Sequence, residues 1–163
     1  MPNLSGFPEI FHGNTDVADT SQLVPLGTRA MDANGNEYVY LRGTASVARG
    51  DWCTIYYENK TVARSGANVI GQLGIAGTGI VASEFGWFQI YGLCGFANVV
   101  TGAGIAASSG PSALFLTSTA GRVGTADVAG DFIVGAHQVG GLAVANTGTV
   151  FIAYPTVYDT ALN

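Results

Sequence analysis

Between residues 65 and 83 the chain reads SGANVIGQLGIAGTGIVAS, with glycine at 66, 71, 74, 77 and 79. Each glycine inside a helix costs about 1 kcal/mol relative to alanine, so this stretch is expected to form short, bent strands. The pattern extends well beyond it. Aromatic or β-branched runs sit against glycines at Tyr38–Leu41 before Gly43, at Trp52–Tyr57 after Gly50, and at Trp87–Tyr91 between Gly86 and Gly92. Such runs suit a pleated, half-buried surface. Asn34-Gly35 separates two extended runs, which predicts a hairpin with a type I′ turn, positive in φ at both central residues. Ala48-Arg49-Gly50-Asp51 and Glu58-Asn59-Lys60 read as further turns. Strands are also expected at 96–100, 112–117, 132–134, 137–139 and 149–154, the last closed by Pro155. About eight to ten short strands with no convincing helix predict an all-β fold, an antiparallel β-sandwich or barrel of glycine-bounded strands.

Residues 1–25 differ in texture. They hold Pro2, Pro8 and Pro25 with Gly6 and Gly13, and show no period of 2 or 3.6. They are expected to form an extended N-terminal arm, with the β-domain spanning 26–163. Leu4, Phe7, Ile10 and Phe11 are the arm's apolar side chains, and burial on a neighbouring subunit is the use expected of them. The opening MPNLSGFPEIFHGNTD has no basic segment followed by an apolar run, so no secretory leader is expected.

Charge narrows the function. Only 10% of residues are Asp, Glu, Lys or Arg, against about 25% in an ordinary soluble domain. A surface that poor in charge is expected to be covered in part by a protein partner. The net charge of −5 argues against nucleic acid, which needs clustered cations. The basic residues between 29 and 64 are interleaved with Asp32, Glu37, Asp51 and Glu58. Residues 85–121 carry no charge at all, yet Gln89, Asn98, Ser108, Ser109, Pro111 and several glycines interrupt them. No window offers the roughly 20 apolar residues of a spanning helix, so no membrane role is expected.

Catalytic constellations are also missing from the sequence. Val99-Val100-Thr101-Gly102-Ala103-Gly104-Ile105-Ala106-Ala107 has a dinucleotide-like GxGxxA, with Asp127 about 20 residues on. Ser108-Ser109-Gly110-Pro111 would stop the required helix within a turn, so a glycine-rich β-turn is the expected structure. There is no GxSxG elbow. His12 and His137 are isolated, and Cys53 and Cys94 lack metal-ligand spacing and read as buried free thiols. Asp127 and Asp131 read as turn-capping acids. Neither cofactor nor metal is expected, and no enzyme. Alternation along 87–91 would put Trp87, Gln89 and Tyr91 on one strand face and Phe88 and Ile90 on the other. Trp87 and Tyr91 thereby join the arm residues as candidate partner-contact side chains.

Leu26-Gly27-Thr28-Arg29 with Asp32-Ala33-Asn34-Gly35-Asn36-Glu37-Tyr38-Val39-Tyr40 resembles small head proteins of tailed bacteriophages. So do Gly86-Trp87-Phe88-Gln89-Ile90-Tyr91-Gly92 and Thr119-Ala120-Gly121. The likeness, to capsid decoration (cement) proteins, spans roughly 23–157 and carries no catalytic residue. It implies a β-rich structural virion protein on the capsid surface, made in the host cytoplasm, often a homotrimer, that stabilises an icosahedral shell by bridging major capsid protein subunits. The alternative is a carbohydrate- or receptor-binding β-module of a virion.

Overall fold

The computed structural model describes residues 14–100, 111–127, 131–139 and 146–159. Ten strands make up its regular structure: β1 (Arg29–Met31), β2 (Glu37–Gly43), β3 (Trp52–Tyr56), β4 (Thr61–Arg64), β5 (Gly71–Ala76), β6 (Phe85–Asn98), β7 (Ser112–Leu116), β8 (Val123–Gly124), β9 (Asp131–Gln138) and β10 (Thr147–Asp159). No helix occurs among the described residues. The all-β expectation holds. All ten strands belong to one sheet, ordered β1-β2-β4-β3-β5-β6-β10-β9-β7-β8.

That sheet closes on part of itself. β2 pairs with β4 on one side and with β6 on the other, so β2, β4, β3, β5 and β6 form a ring. Val39, Leu41, Cys53, Ile55, Val62, Phe88 and Ile90 point inward and fill it. The alternate residues of β3 and β5, Trp52, Leu73 and Ile75, point out of the ring. There they meet Leu114, Leu116, Ile133, Val150, Ile152 and Val157 from β7, β9 and β10. The molecule is therefore a small barrel with the rest of its own sheet folded back against one wall, and Trp52 stands at the centre of that second core with no exposed surface.

Several local expectations are corrected. The sheet is not wholly antiparallel, because β4 inserts between β2 and β3 and runs parallel to β2. The 34–35 hairpin forms, pairing Met31 with Glu37, but its turn is not type I′. Gly35 has φ 81, while Asn34 is absent from the positive-φ residues. Asp32 decides the geometry: its backbone N–H donates to the Asn36 carbonyl, and its carboxylate accepts from the backbone N–H groups of Asn34 and Asn36. This closes a three-residue loop ending in a left-handed residue. The expected strand at 87–91 and the start of the one expected at 96–100 are one strand, β6, which ends at Asn98 and is bent at Gly92 (φ 104). β10 runs straight through Pro155. Its register with β9 shifts between Ile152 and Thr156, and such a bulge accommodates a residue with no N–H to donate.

A buried polar knot ties the barrel to the end of β6. The Arg64 guanidinium meets the Asp51 carboxylate at 2.7 Å. Asp51 also accepts from the Ala48 backbone N–H and the Asn98 amide. These bonds satisfy a carboxylate that would otherwise be costly to bury.

Candidate functional site

Residues 14–26 lie down on the barrel wall. Asp19 bridges Phe85 through the backbone in both directions, the Tyr40 hydroxyl donates to Asp19 Oδ2 at 2.7 Å, and the Leu23 N–H donates to Tyr40 Oη. Burial, then the bond to Asp19, pushes the Tyr40 phenol up to about 12. Val24 and Leu26 pack on Ala30, Tyr38, Tyr40 and Trp87. The alternation expected along 87–91 is present, with Trp87 outside the barrel and Phe88 and Ile90 inside. Yet Trp87 is only 5% exposed, because its own chain covers it. It offers no face to a partner while this segment stays in place, and the expected contact role is corrected accordingly. A recess of about 270 Å³ remains beside it, lined by Val17, Leu23, Val24 and Tyr40. Leu4, Phe7, Ile10, Phe11 and His12 lie outside the described residues, as do the GxGxxA segment, Ser108 and Ser109.

The remaining polar candidates have structural surroundings. Cys53 and Cys94 are buried free thiols in different cores. Burial raises both, Cys94 to about 12 and Cys53 well above its usual value. Asp131 is fully buried, and both of its carboxylate oxygens accept from the Asn68 backbone N–H. It thus anchors the 66–70 loop across the core. Among the described residues no group of three His, Cys, Asp or Glu could hold a metal ion, and no helix is long and apolar enough to cross a membrane.

Tyr91 has a different setting, on the outer side of the folded-back sheet. Its ring meets Phe151 edge-on at 5.7 Å and Tyr154 at 5.6 Å, and Phe151 in turn lies 5.5 Å from the His137 ring. Arg29 stacks over the far side of Tyr154 at 5.8 Å, and the Tyr154 hydroxyl donates to Glu37 Oε2 at 2.8 Å. That bond, with lesser help from burial, raises the Tyr154 phenol. An aromatic ladder therefore crosses three strands. Strand register builds it: Phe151 stands opposite Leu93 on one side and His137 on the other. Tyr154 joins only because the β10 bulge turns it outward at φ 50, an uncommon conformation for a bulky residue.

At the other end of the same face, Tyr158 stands opposite Phe132 and Phe132 opposite Phe115, with the two phenylalanine rings 5.5 Å apart. Phe132, Val134 and Tyr158 are exposed. Across β6, β7, β9 and β10 the only charged residues are Asp131 and Asp159, and both are buried. The outward side of four strands therefore carries no charge. Of these side chains Tyr91 is legible in the sequence as a contact candidate, whereas Phe151, Tyr154, Phe132 and Tyr158 are not. A period-2 reading of 131–134 would have marked Phe132; nothing local marks Tyr154, whose orientation comes from a bulge.

No family model, curated relative or solved structure matches the chain.

Proposed function

We propose that this protein is a non-catalytic structural component of a tailed-phage virion, which decorates the capsid surface and stabilises the shell by bridging major capsid protein subunits. The observation that carries the reading is the charge-free, aromatic outer face of β6, β10, β9 and β7. The largest apolar patch on a protein surface is often functional, and the resemblance of the 26–40 and 86–92 segments to decoration proteins supplies the partner. Four strands about 4.8 Å apart, each offering some six residues at about 3.3 Å, present roughly 300–400 Å² in projection. A stable interface takes about 800 Å² from each partner. One copy thus binds weakly, and a homo-oligomer, with a trimer favoured, gains strength by engaging several sites together.

The contact is centred on Phe115, Phe132 and Tyr158. Replacing Phe132 and Tyr158 together by threonine, which keeps strand propensity and adds no charge to this cross-strand pair, is expected to cut occupancy on purified shells by more than about tenfold, since buried aromatic anchors dominate such contacts. Both side chains are exposed, so the melting temperature should barely move. Binding and melting are compared on the same preparation. Undiminished occupancy of shells by the double variant would overturn this placement.

A further inference from the structure

Next to the near end of the aromatic face lies a shallow groove of about 640 Å³ between the 32–36 hairpin and β6. One wall is made of the Tyr91 and Phe151 rings with Leu93; the other is made of the hairpin residues Asn34 and Asn36, and Gly92 lies between them. None of these lining residues is charged. From these features we infer that the groove is a binding site for a neutral pyranose, as a free sugar or a residue of a longer glycan.

Three features of the site carry the inference. The first is its chemistry. A pyranose has one face of C–H groups with slight positive charge, which stacks on the negative face of an aromatic ring, and a rim of hydroxyls that pair with amides. The groove sets rings against amides, and a volume of this size falls within the range of small-ligand sites.

The second is preorganisation. The Asn36 amide donates to Asp32 Oδ2 at 2.8 Å while its oxygen accepts from the Leu93 N–H at 3.0 Å. The Tyr38 hydroxyl donates to the same Asp32 oxygen. These bonds to Asp32 hold its carboxyl below the usual range against the opposing effect of burial. The hairpin is thus fixed to β6 before any ligand arrives, and the exposed tip residue Asn34 remains for recognition. Gly92 allows the approach, because a side chain there would overlap Asn36 Oδ1.

The third is the strained Tyr154. Its positive φ, its ring on Tyr91 and its hydroxyl on Glu37 brace the aromatic wall from behind. Residues held in sparsely populated conformations concentrate at ligand sites.

Anionic ligands fit poorly, because the Asp32 and Glu37 carboxylates flank the groove and Arg29 is engaged over Tyr154. The groove lies at the end of the outer face away from the centre of the proposed shell contact: Phe151 stands opposite His137, five residue steps and about 16 Å of strand from Phe132.

The test is an amide-resolved NMR titration of the free full-length protein. The probes are neutral methyl glycosides of glucose, galactose and mannose, N-acetylglucosamine, and glucose 6-phosphate as a charged control, all at millimolar concentration. At least one neutral sugar is expected to shift the Asn34, Gly92 and Leu93 amides. Phe151→Ala should weaken that binding by about tenfold, the loss expected for one stacking ring. Asn34→Ala, at an exposed tip with no packing role, should weaken it as well while leaving the spectrum otherwise native. The inference is overturned if no neutral sugar shifts these amides, if the shifts survive both substitutions, or if the phosphorylated sugar binds better than its neutral counterpart. None of these outcomes bears on shell binding, which is read on particles.

Discussion

Replacing Trp52 by alanine is expected to remove about 3–5 kcal/mol of stability, the usual cost of deleting a fully buried tryptophan. Total stabilities are about 5–15 kcal/mol, so the loss approaches the whole margin. Its position explains the size of the effect. Trp52 leaves the barrel wall on β3 and fills the space between Leu73 and Ile75 on one side and the inner face of β7, β9 and β10 on the other. With that side chain gone, the folded-back sheet loses the wedge that holds it to the barrel. At about 2–4 °C per kcal/mol for a chain near this size, the melting temperature should fall by roughly 6–20 °C. Trp52→Phe should cost far less, since the indole N–H has no hydrogen-bond partner among the described residues. Thermal melts followed by circular dichroism compare the three proteins. A loss under about 1 kcal/mol for the alanine variant would mean that the two halves are not joined through this side chain.

The second large effect is alkaline. Burial raises the Cys94 thiol from 9.0 to about 12 and raises Cys53 well above 9.0. Burial and the neighbouring Asp32 raise Tyr38, and burial with the Asp19 bond raises Tyr40 from 10.0 to about 12. All of these groups hold their protons more tightly folded than unfolded. Below pH 9 both states are protonated and the contribution is fully present. As the pH climbs from 9 toward 12 the unfolded chain releases protons that the folded chain keeps, so stability falls. For Cys94 alone the change is worth about 4 kcal/mol, at about 1.4 kcal/mol per tenfold difference in proton affinity. Urea midpoints should be flat between pH 7 and 8 and drop steeply between pH 9 and 11. Cys94→Ala should flatten part of that slope. A midpoint that holds constant to pH 11 would show that these side chains are hydrated in the folded protein.

The readable part of the fold was the part written in local chemistry. Glycines at 66, 71, 74, 77 and 79 argued against a helix between 65 and 83, and the aromatic runs at 38–41, 52–57 and 87–91 became β2, β3 and part of β6. What could not be read depended on partners distant in sequence. β4 pairs in parallel with β2 through only Arg42–Thr61 and Gly43–Val62, and no residue nearby announces it. Pro155 looked like a stop, because a proline normally ends ladder pairing; the register shift in β10 removes the need for its N–H. Asn34-Gly35 looked like a type I′ turn until the Asp32 carboxylate chose another loop. Trp87 looked like a contact residue because alternation places it outside the barrel, but the Asp19–Tyr40 bond brings residues 14–26 over it. Of the aromatic ladder only Tyr91 was legible, since Phe151 and His137 meet through register and Tyr154 through a bulge.

The proposal of a capsid decoration protein is tested most directly on purified particles from the source that encodes this chain, by quantitative mass spectrometry together with a density map of the particle. The account predicts a stoichiometric component. Density for the barrel and its folded-back sheet should lie on the outside of the shell, with Phe115, Phe132 and Tyr158 against the major capsid protein. Virions lacking the chain, or density placing it inside the shell, would contradict it.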